Sequence, residues 1–223
     1  MTARADILAN IRRSLGVAAS ERMRVQAVED RIERSPRGVI PARGQVDPVA
    51  RRDLFKAQAE GVQATVEVVA NAKDVPEAVA RYLRERNLPA TARIGADPVL
   101  VAMPWEDTAI EVAHGKSEGR DLNAVSRAVA GVAETGTLVL HSGGDNPTTL
   151  NFLPDNHIVV LKAGEIVGDY ESVWSKLRMT FGKGELPRTV NFITGPSRSA
   201  DIEQKLQLGA HGPRNLHIVI VEK

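Results

Sequence analysis

Near the start of the chain the apolar positions recur with helical spacing. Ile7, Leu8, Ile11 and Leu15 fall at i, i+1, i+4 and i+8, one face of an amphipathic helix over Ala5 to Leu15, with Gly16 as its stop. Arg4, Arg12 and Arg13 lie mostly off that stripe. From Ser35 to Pro48 the periodicity is lost, and Pro36, Gly38, Pro41, Gly44 and Pro48 give the composition of an extended linker. The pattern therefore predicts a helical arm over 1–34, a Pro/Gly-rich linker over 35–52 and a domain over 53–223. The arm suits a solvated helix folded back on its own domain or a helix that packs on a partner chain. A nucleic-acid or membrane arm fits less well, because the apolar stripe is short and acids are interleaved.

From Asp53 onward short apolar runs alternate with helical patterns. Leu54 to Ala64 reads as a helix and Thr65 to Ala70 as a strand. Asp74 can cap a helix running from Pro76 to Arg86, with proline in the first turn, where its missing N–H costs nothing. Ala92 to Gly95 and Ala109 to Ala113 read as strands, Leu122 to Ala133 as a helix, and Gly136 to His141 as a strand. Ile158 to Leu161 follows as a strand, then a helix within Ile166 to Arg178, a strand at Val190 to Thr194, a helix over Ser199 to Leu208 and a last strand at Leu216 to Val221. Several strands are unbroken apolar runs, so both faces of the sheet are covered, as in parallel sheets. The predicted fold is a three-layer α/β domain with a mostly parallel sheet.

Composition narrows the function. Across 223 residues, 43% hydrophobic and 26% charged, the formal net charge is only +1, which argues against a dedicated nucleic-acid binder. With no cysteine, the chain holds no disulfide, thiolate nucleophile or Cys-ligated cluster. No apolar run approaches the ~20 residues of a membrane span, and the N-terminus lacks a signal-peptide core, so a cytoplasmic protein is expected. His114, His141, His157, His211 and His217 show no metal-ligand spacing, and no dinucleotide, P-loop or nucleophile-elbow motif is present. His217, inside LHIVIV, reads as structural.

Loops after strands carry ligands in parallel α/β sheets. The leading candidate is Gly195-Pro196-Ser197-Arg198-Ser199-Ala200-Asp201-Ile202-Glu203, after VNFIT and before the predicted helix. There Gly195 and Pro196 turn the chain, Ser197 or Ser199 caps the helix, and Arg198 adds a fork suited to a carboxylate or phosphate. Asp201 and Glu203 would sit favourably in the first helical turn. The competing reading is a plain cap, with Arg198 paired to a nearby acid. A second candidate is Glu134-Thr135-Gly136-Thr137, which supplies a carboxylate, two hydroxyls and a glycine, or is simply a surface turn. The third is the long loop Ser142 to His157, in which His157 is a site residue or a structural one. The fourth is Gly209 to Arg214, where His211 sits between small residues.

The segments AETGTLVL (Ala133 to Leu140), NFLPDNHIVVL (Asn151 to Leu161), TGPSRSADIEQKLQLGAHGP (Thr194 to Pro213) and LHIVIVEK (Leu216 to Lys223) resemble the LUD domain of the lactate-utilisation protein C (LutC) family. The resemblance covers roughly Asp53 to the C-terminus and the short N-terminal helix. The GPSRSADIE and HGP pair is its most specific part; Ser199 stands where many members carry Thr, which keeps the hydroxyl. It implies a NagB/RpiA/CoA-transferase-like fold and a role beside two iron–sulfur proteins in oxidising L-lactate to pyruvate. The clusters would then sit on the partner subunits, with no redox cofactor in this chain. The resemblance assigns no catalytic residue.

Three functional readings follow. In the first, the chain is a subunit of a lactate-oxidising assembly that binds the carboxylate through Thr135, Gly136, Thr137, Gly195, Ser197, Arg198 and Ser199, or organises the complex. His157, His211 or Glu134 are then the candidates for the acid–base group beside the hydroxyl. In the second, it is a stand-alone α/β enzyme or binding protein for a phosphorylated or CoA-linked metabolite, by analogy of fold. In the third, it is a scaffold that captures partners through its N-terminal arm.

Overall fold

The computed structural model describes residues 2–18, 21–199 and 207–223. The chain forms two compact units, Met1–Val39 and Ile40–Lys223. The first holds α1 (Ala3–Leu15) and α2 (Arg22–Arg34), neither of which has a buried residue. Helix α1 ends as expected at Gly16, whose left-handed backbone (φ 63°) lets its N–H return to the carbonyls of Arg12 and Arg13.

The second unit opens with α3 (Pro48–Gly61), capped by Asp47, whose carboxylate accepts from the N–H groups of Val49 and Ala50. In chain order follow β1 (Thr65–Val69), α4 (Val75–Glu85), β2 (Thr91–Ile94), α5 (Pro98–Val101), β3 (Glu111–His114), β4 (Asn123–Arg127), β5 (Ala130–Val132) and β6 (Thr137–His141). The remainder comprises β7 (Asn156–Lys162), β8 (Ile166–Val167), α6 (Tyr170–Phe181), β9 (Val190–Ile193), β10 (Arg198–Ser199), β11 (Gln207–Leu208) and β12 (Asn215–Val221).

Six strands form one sheet in the order β1-β12-β7-β4-β2-β3, and every neighbouring pair is parallel. The unbroken apolar runs have the expected cause. Ile158, Val160, Val219 and Val221 pack with α4, while Val159, Leu161, Ile218 and Ile220 pack with Phe55 and Ala59 of α3. Alternate side chains enter opposite cores, so these strand centres are apolar on both faces. The α/β class and mostly parallel sheet match the expectation.

A second sheet was not expected. It runs β8-β5-β6-β9, with β6 antiparallel to both β5 and β9. Leu138 and Leu140 of β6 join the α3 core, and Val139 faces Val173 and Leu177 of α6. The helix predicted over Leu122 to Ala133 is instead two strands, β4 in the parallel sheet and β5 in this one. The alanines and the 125, 128/129, 132 spacing imitate a helix, but Ala124, Val125, Ala130 and Val132 are buried in sheets. Gly131 is closely packed there: an added Cβ would stand 2.7 Å from the Leu161 side chain and 2.9 Å from that of Phe55, so both would have to shift.

Candidate functional site

Strand β9 runs antiparallel to β6 and delivers the chain to Thr194-Gly195-Pro196-Ser197-Arg198. Gly195 turns with φ 80°, and an added Cβ would lie 2.5 Å from the Val62 carbonyl oxygen. Both the angle and the close approach of α3's end demand glycine. The chain then pairs as β10 with β11, antiparallel, so at Ser199, Gln207 and Leu208 the predicted helix is replaced by strand. Ala200, Asp201, Ile202, Glu203 and the rest of 200–206 lie outside the described residues. At this loop, Arg198 and Ser199 begin a strand, and no helix N-terminus is formed by the described residues.

Ser197 stitches this loop to the segment Gly209 to Pro213. Its N–H donates to the Pro213 carbonyl (2.8 Å), its carbonyl accepts from the Gly209 N–H (3.1 Å) and its Oγ accepts from the His211 N–H (3.2 Å). The two most specific sequence motifs are therefore one structural element. Together they wall a cavity of about 240 Å³, to which Gly195, Ser197, Arg198, His211, Asn151 and His157 all contribute. Phe152, Phe192 and Leu216 supply apolar wall. Loops one, three and four of the sequence reading converge here.

The cavity is not where the strand-end rule points. His157 is the second residue of β7, and its register partner Leu216 is the second residue of β12. The site therefore meets the parallel sheet at the N-terminal ends of its central strands. The rule fails because β9, which leads into the Gly195 turn, belongs to the mixed sheet rather than the parallel one.

His157 is buried, and burial pushes its imidazole down to about 3, so it is neutral at physiological pH. Its Nε2 lies 3.1 Å from the Ser126 Oγ, which in turn donates to Asn151 Oδ1 at 3.3 Å. His157 Nδ1 and Asn151 Nδ2 are buried with no protein partner. Such orphans are uncommon, because each costs the desolvation of a polar group. Asn151 and Ser126 escaped the sequence reading as site residues; the signal for Asn151 was its place at the head of NFLPDNH. Arg198 and His211 are exposed at the cavity.

Glu134-Thr135-Gly136-Thr137 is not among the cavity's lining. It forms the turn of the β5–β6 hairpin, not a helix-to-strand connection. Gly136 has φ 66°, and an added Cβ would stand 2.3 Å from the Ala59 backbone nitrogen, so the glycine admits α3. Thr135 and Thr137 are 2.7 Å apart, and both reach Tyr170 Oη (3.0 and 2.9 Å). Thr137 also bonds Thr194 (2.7 Å), which does line the cavity. These hydroxyls therefore brace the Gly195 loop from behind. Glu134 is buried beside them. His217 is buried too, stacked on Tyr82 with ring centroids 4.2 Å apart and hydrogen-bonded to Thr65, as expected of a structural histidine. Among the described residues no group of His, Asp and Glu is arranged to hold a metal ion, and no helix is long and apolar enough to cross a membrane.

Fold and site together define an α/β domain with a small polar-floored cavity walled by two stitched loops. Residues 52–221 match the LUD domain, and the chain belongs to that family. It is 33% identical over 126 residues to the Lactate utilization protein C of Geobacillus thermodenitrificans, covering 53% of this chain and 52% of that protein. It is 36% identical over 119 residues to the protein of the same name from Halalkalibacterium halodurans, covering 53% and 51% respectively. The chain spans about half the length of these curated relatives. In fold it is similar to a DUF162 family protein of Deinococcus radiodurans known from a crystal structure, with a TM-score of 0.61 at 21% identity over 79% of this chain and 99% of that one.

Proposed function

We propose that this chain serves lactate utilisation as the acid-binding subunit of a cytoplasmic lactate-oxidising assembly, with L-lactate or a close 2-hydroxy acid held in the cavity beside Arg198. The supporting observation is the convergence of Arg198, His157 and His211 on one cavity of about 240 Å³, a size suited to a small acid. Arg198 presents a planar, permanently charged fork to a carboxylate. Phe152, Phe192 and Leu216 give the apolar wall that a methyl group needs. The kinship to proteins named for lactate utilisation supports the choice of acid.

Conversion of lactate to pyruvate removes two electrons and two protons. With no cysteine, this chain cannot ligate an iron–sulfur cluster through thiolates, so the electrons leave through clusters on partner proteins. The division of labour is then binding and orientation here, redox chemistry elsewhere. His157, held neutral by burial, suits an acceptor that orients the hydroxyl better than a strong base. His211 is the exposed alternative for taking the proton.

The test is lactate-dependent dye reduction by the reconstituted assembly, with this chain, without it, and with Arg198→Ala. The proposal expects reduction to need the chain and to fall at least tenfold with Arg198→Ala while the complex still forms. Full activity without the chain, or a silent Arg198→Ala, would sink it.

A further inference from the structure

We propose that the chain holds a second ligand site, for a phosphate group, in the cavity between the end of β4 and α6, framed by Arg127, Lys176 and His141. This cavity shares no lining residue with the acid cavity, and the inference does not depend on the reading given to that one.

Parallel strands collect ligands beyond their carboxyl ends, and that is where this cavity of about 130 Å³ lies. Arg127 is the last residue of β4, His141 is the last of β6, and Glu165 follows the end of β7. Lys176, Leu177 and Phe181 of α6 contribute the facing wall.

Both cations are set in place by the fold itself. Asp97 Oδ2 accepts from Arg127 Nε at 2.8 Å, while Asp97 Oδ1 is engaged in capping α5. The Arg127 side chain is still 23% exposed, and its two Nη nitrogens have no protein partner among the described residues. Lys176 Nζ donates to the Val129 carbonyl at 2.7 Å and to the Glu165 carboxylate. The His141 ring stands edge-on to Phe181, with ring centroids 5.1 Å apart, and its Nε2 has no partner among the described residues. Burial, and then the charge of Arg127, hold the Lys176 ammonium below the ordinary lysine range. The two cations therefore repel one another, and an anion between them relieves that repulsion.

The donor set selects the anion. A carboxylate is satisfied by the two parallel N–H groups of one guanidinium. Here a guanidinium fork, an ammonium and an imidazole line one space, which suits a tetrahedral group whose oxygens point in several directions. Among the lining residues Glu165 is the only acid; Asp97 is not part of the lining. The cavity falls below the size that encloses a drug-sized ligand, so it takes the phosphate group and leaves whatever carries that group outside.

The experiment is a ³¹P NMR titration of inorganic phosphate, and separately of glycerol 1-phosphate, with the full chain at constant ionic strength. Inorganic phosphate should bind saturably, one per chain. Binding of the ester as well identifies a phosphorylated compound as the ligand, and binding of phosphate alone identifies the free ion; saturable binding of neither overturns the proposal. Arg127→Lys, which keeps a cation beside Asp97 but loses the fork, and Lys176→Gln, at a part-exposed ion pair, should each weaken binding about fivefold or more. Glu165→Gln should tighten it severalfold, because it removes the one acid from the lining; unchanged or weaker binding there counts against the site. Arg198→Ala should leave phosphate affinity unaltered. Affinity lost with Arg198→Ala but kept with Arg127→Lys and Lys176→Gln would place the phosphate in the acid cavity and overturn the proposal.

Discussion

The hydroxyl of Ser197 accepts the backbone N–H of His211 at 3.2 Å, across fourteen residues of sequence, and so ties the Gly195 loop to the segment before the last strand. Neither loop has much buried apolar surface of its own, so the tie sets the shape of the cavity wall. Ser197→Ala should cost about 1 kcal/mol of stability, the usual worth of one such bond. Acid binding should weaken by more than that loss explains. A urea melt read beside a binding titration separates the two effects, and unchanged binding would contradict this role.

Two glycines should be irreplaceable for stated reasons. Gly195 and Gly136 both have positive φ, and an added Cβ would stand 2.5 Å from Val62 O and 2.3 Å from Ala59 N respectively. Either Gly→Ala change should destabilise by about 2 kcal/mol or more, combining left-handed strain with a backbone clash. Gly144, with ordinary φ and open space around it, is the control and should tolerate alanine within about 0.5 kcal/mol. Thermal midpoints of the three variants would decide the matter.

How far the sequence announced all this depended on the kind of signal. The parallel strands were legible because burial on both faces leaves unbroken apolar runs such as Ile158 to Leu161. Strands β4 and β5 were not, because Leu122 to Ala133 carries alanines at helix-like spacing and its strand state comes from pairing with distant segments. The Gly195 and His211 loops were picked out by glycine, proline and charge. Their joining was not, because it is carried by two backbone bonds and one hydroxyl of Ser197, none of which leaves a mark in the residue pattern. Asn151 and Ser126 look ordinary in sequence, and only their spare or shared protons mark them.

Acid should weaken the fold through its buried histidines. Burial holds His157 at about 3, and burial with the nearby charges of Arg86 and Arg81 holds His217 at about 4, against about 6.5 for an unfolded histidine. Below about 6.5 the unfolded chain binds the protons and the folded one does not, so stability falls as pH falls. Each histidine contributes a slope of about 1.4 kcal/mol per pH unit at most, starting near 6.5 and ending near its own folded value. Above pH 7 neither should contribute. Urea midpoints from pH 7.5 to 5 would check this; His217→Phe should flatten the slope, and a midpoint indifferent to pH would refute it.

Asp97 carries two tasks at the end of β2. Its Oδ1 caps α5 through the N–H groups of Val99 (2.9 Å) and Leu100 (3.1 Å), and its Oδ2 meets Arg127 Nε at 2.8 Å. Asp97→Ala should cost about 2–3 kcal/mol, since it uncaps the helix and strands a mostly buried cation. Asp97→Asn should cost less, because it keeps the cap. Equal losses in denaturant unfolding would mean that the ion pair alone matters.

The most direct test of the central claim is calorimetric titration of the intact chain with L-lactate, beside the Arg198→Ala variant. A small-acid site at this cavity predicts saturable binding of one lactate per chain. Arg198→Ala should weaken it by about tenfold or more, equivalent to about 1.4 kcal/mol. Lactate that binds equally well to both proteins, or to neither, would contradict the account.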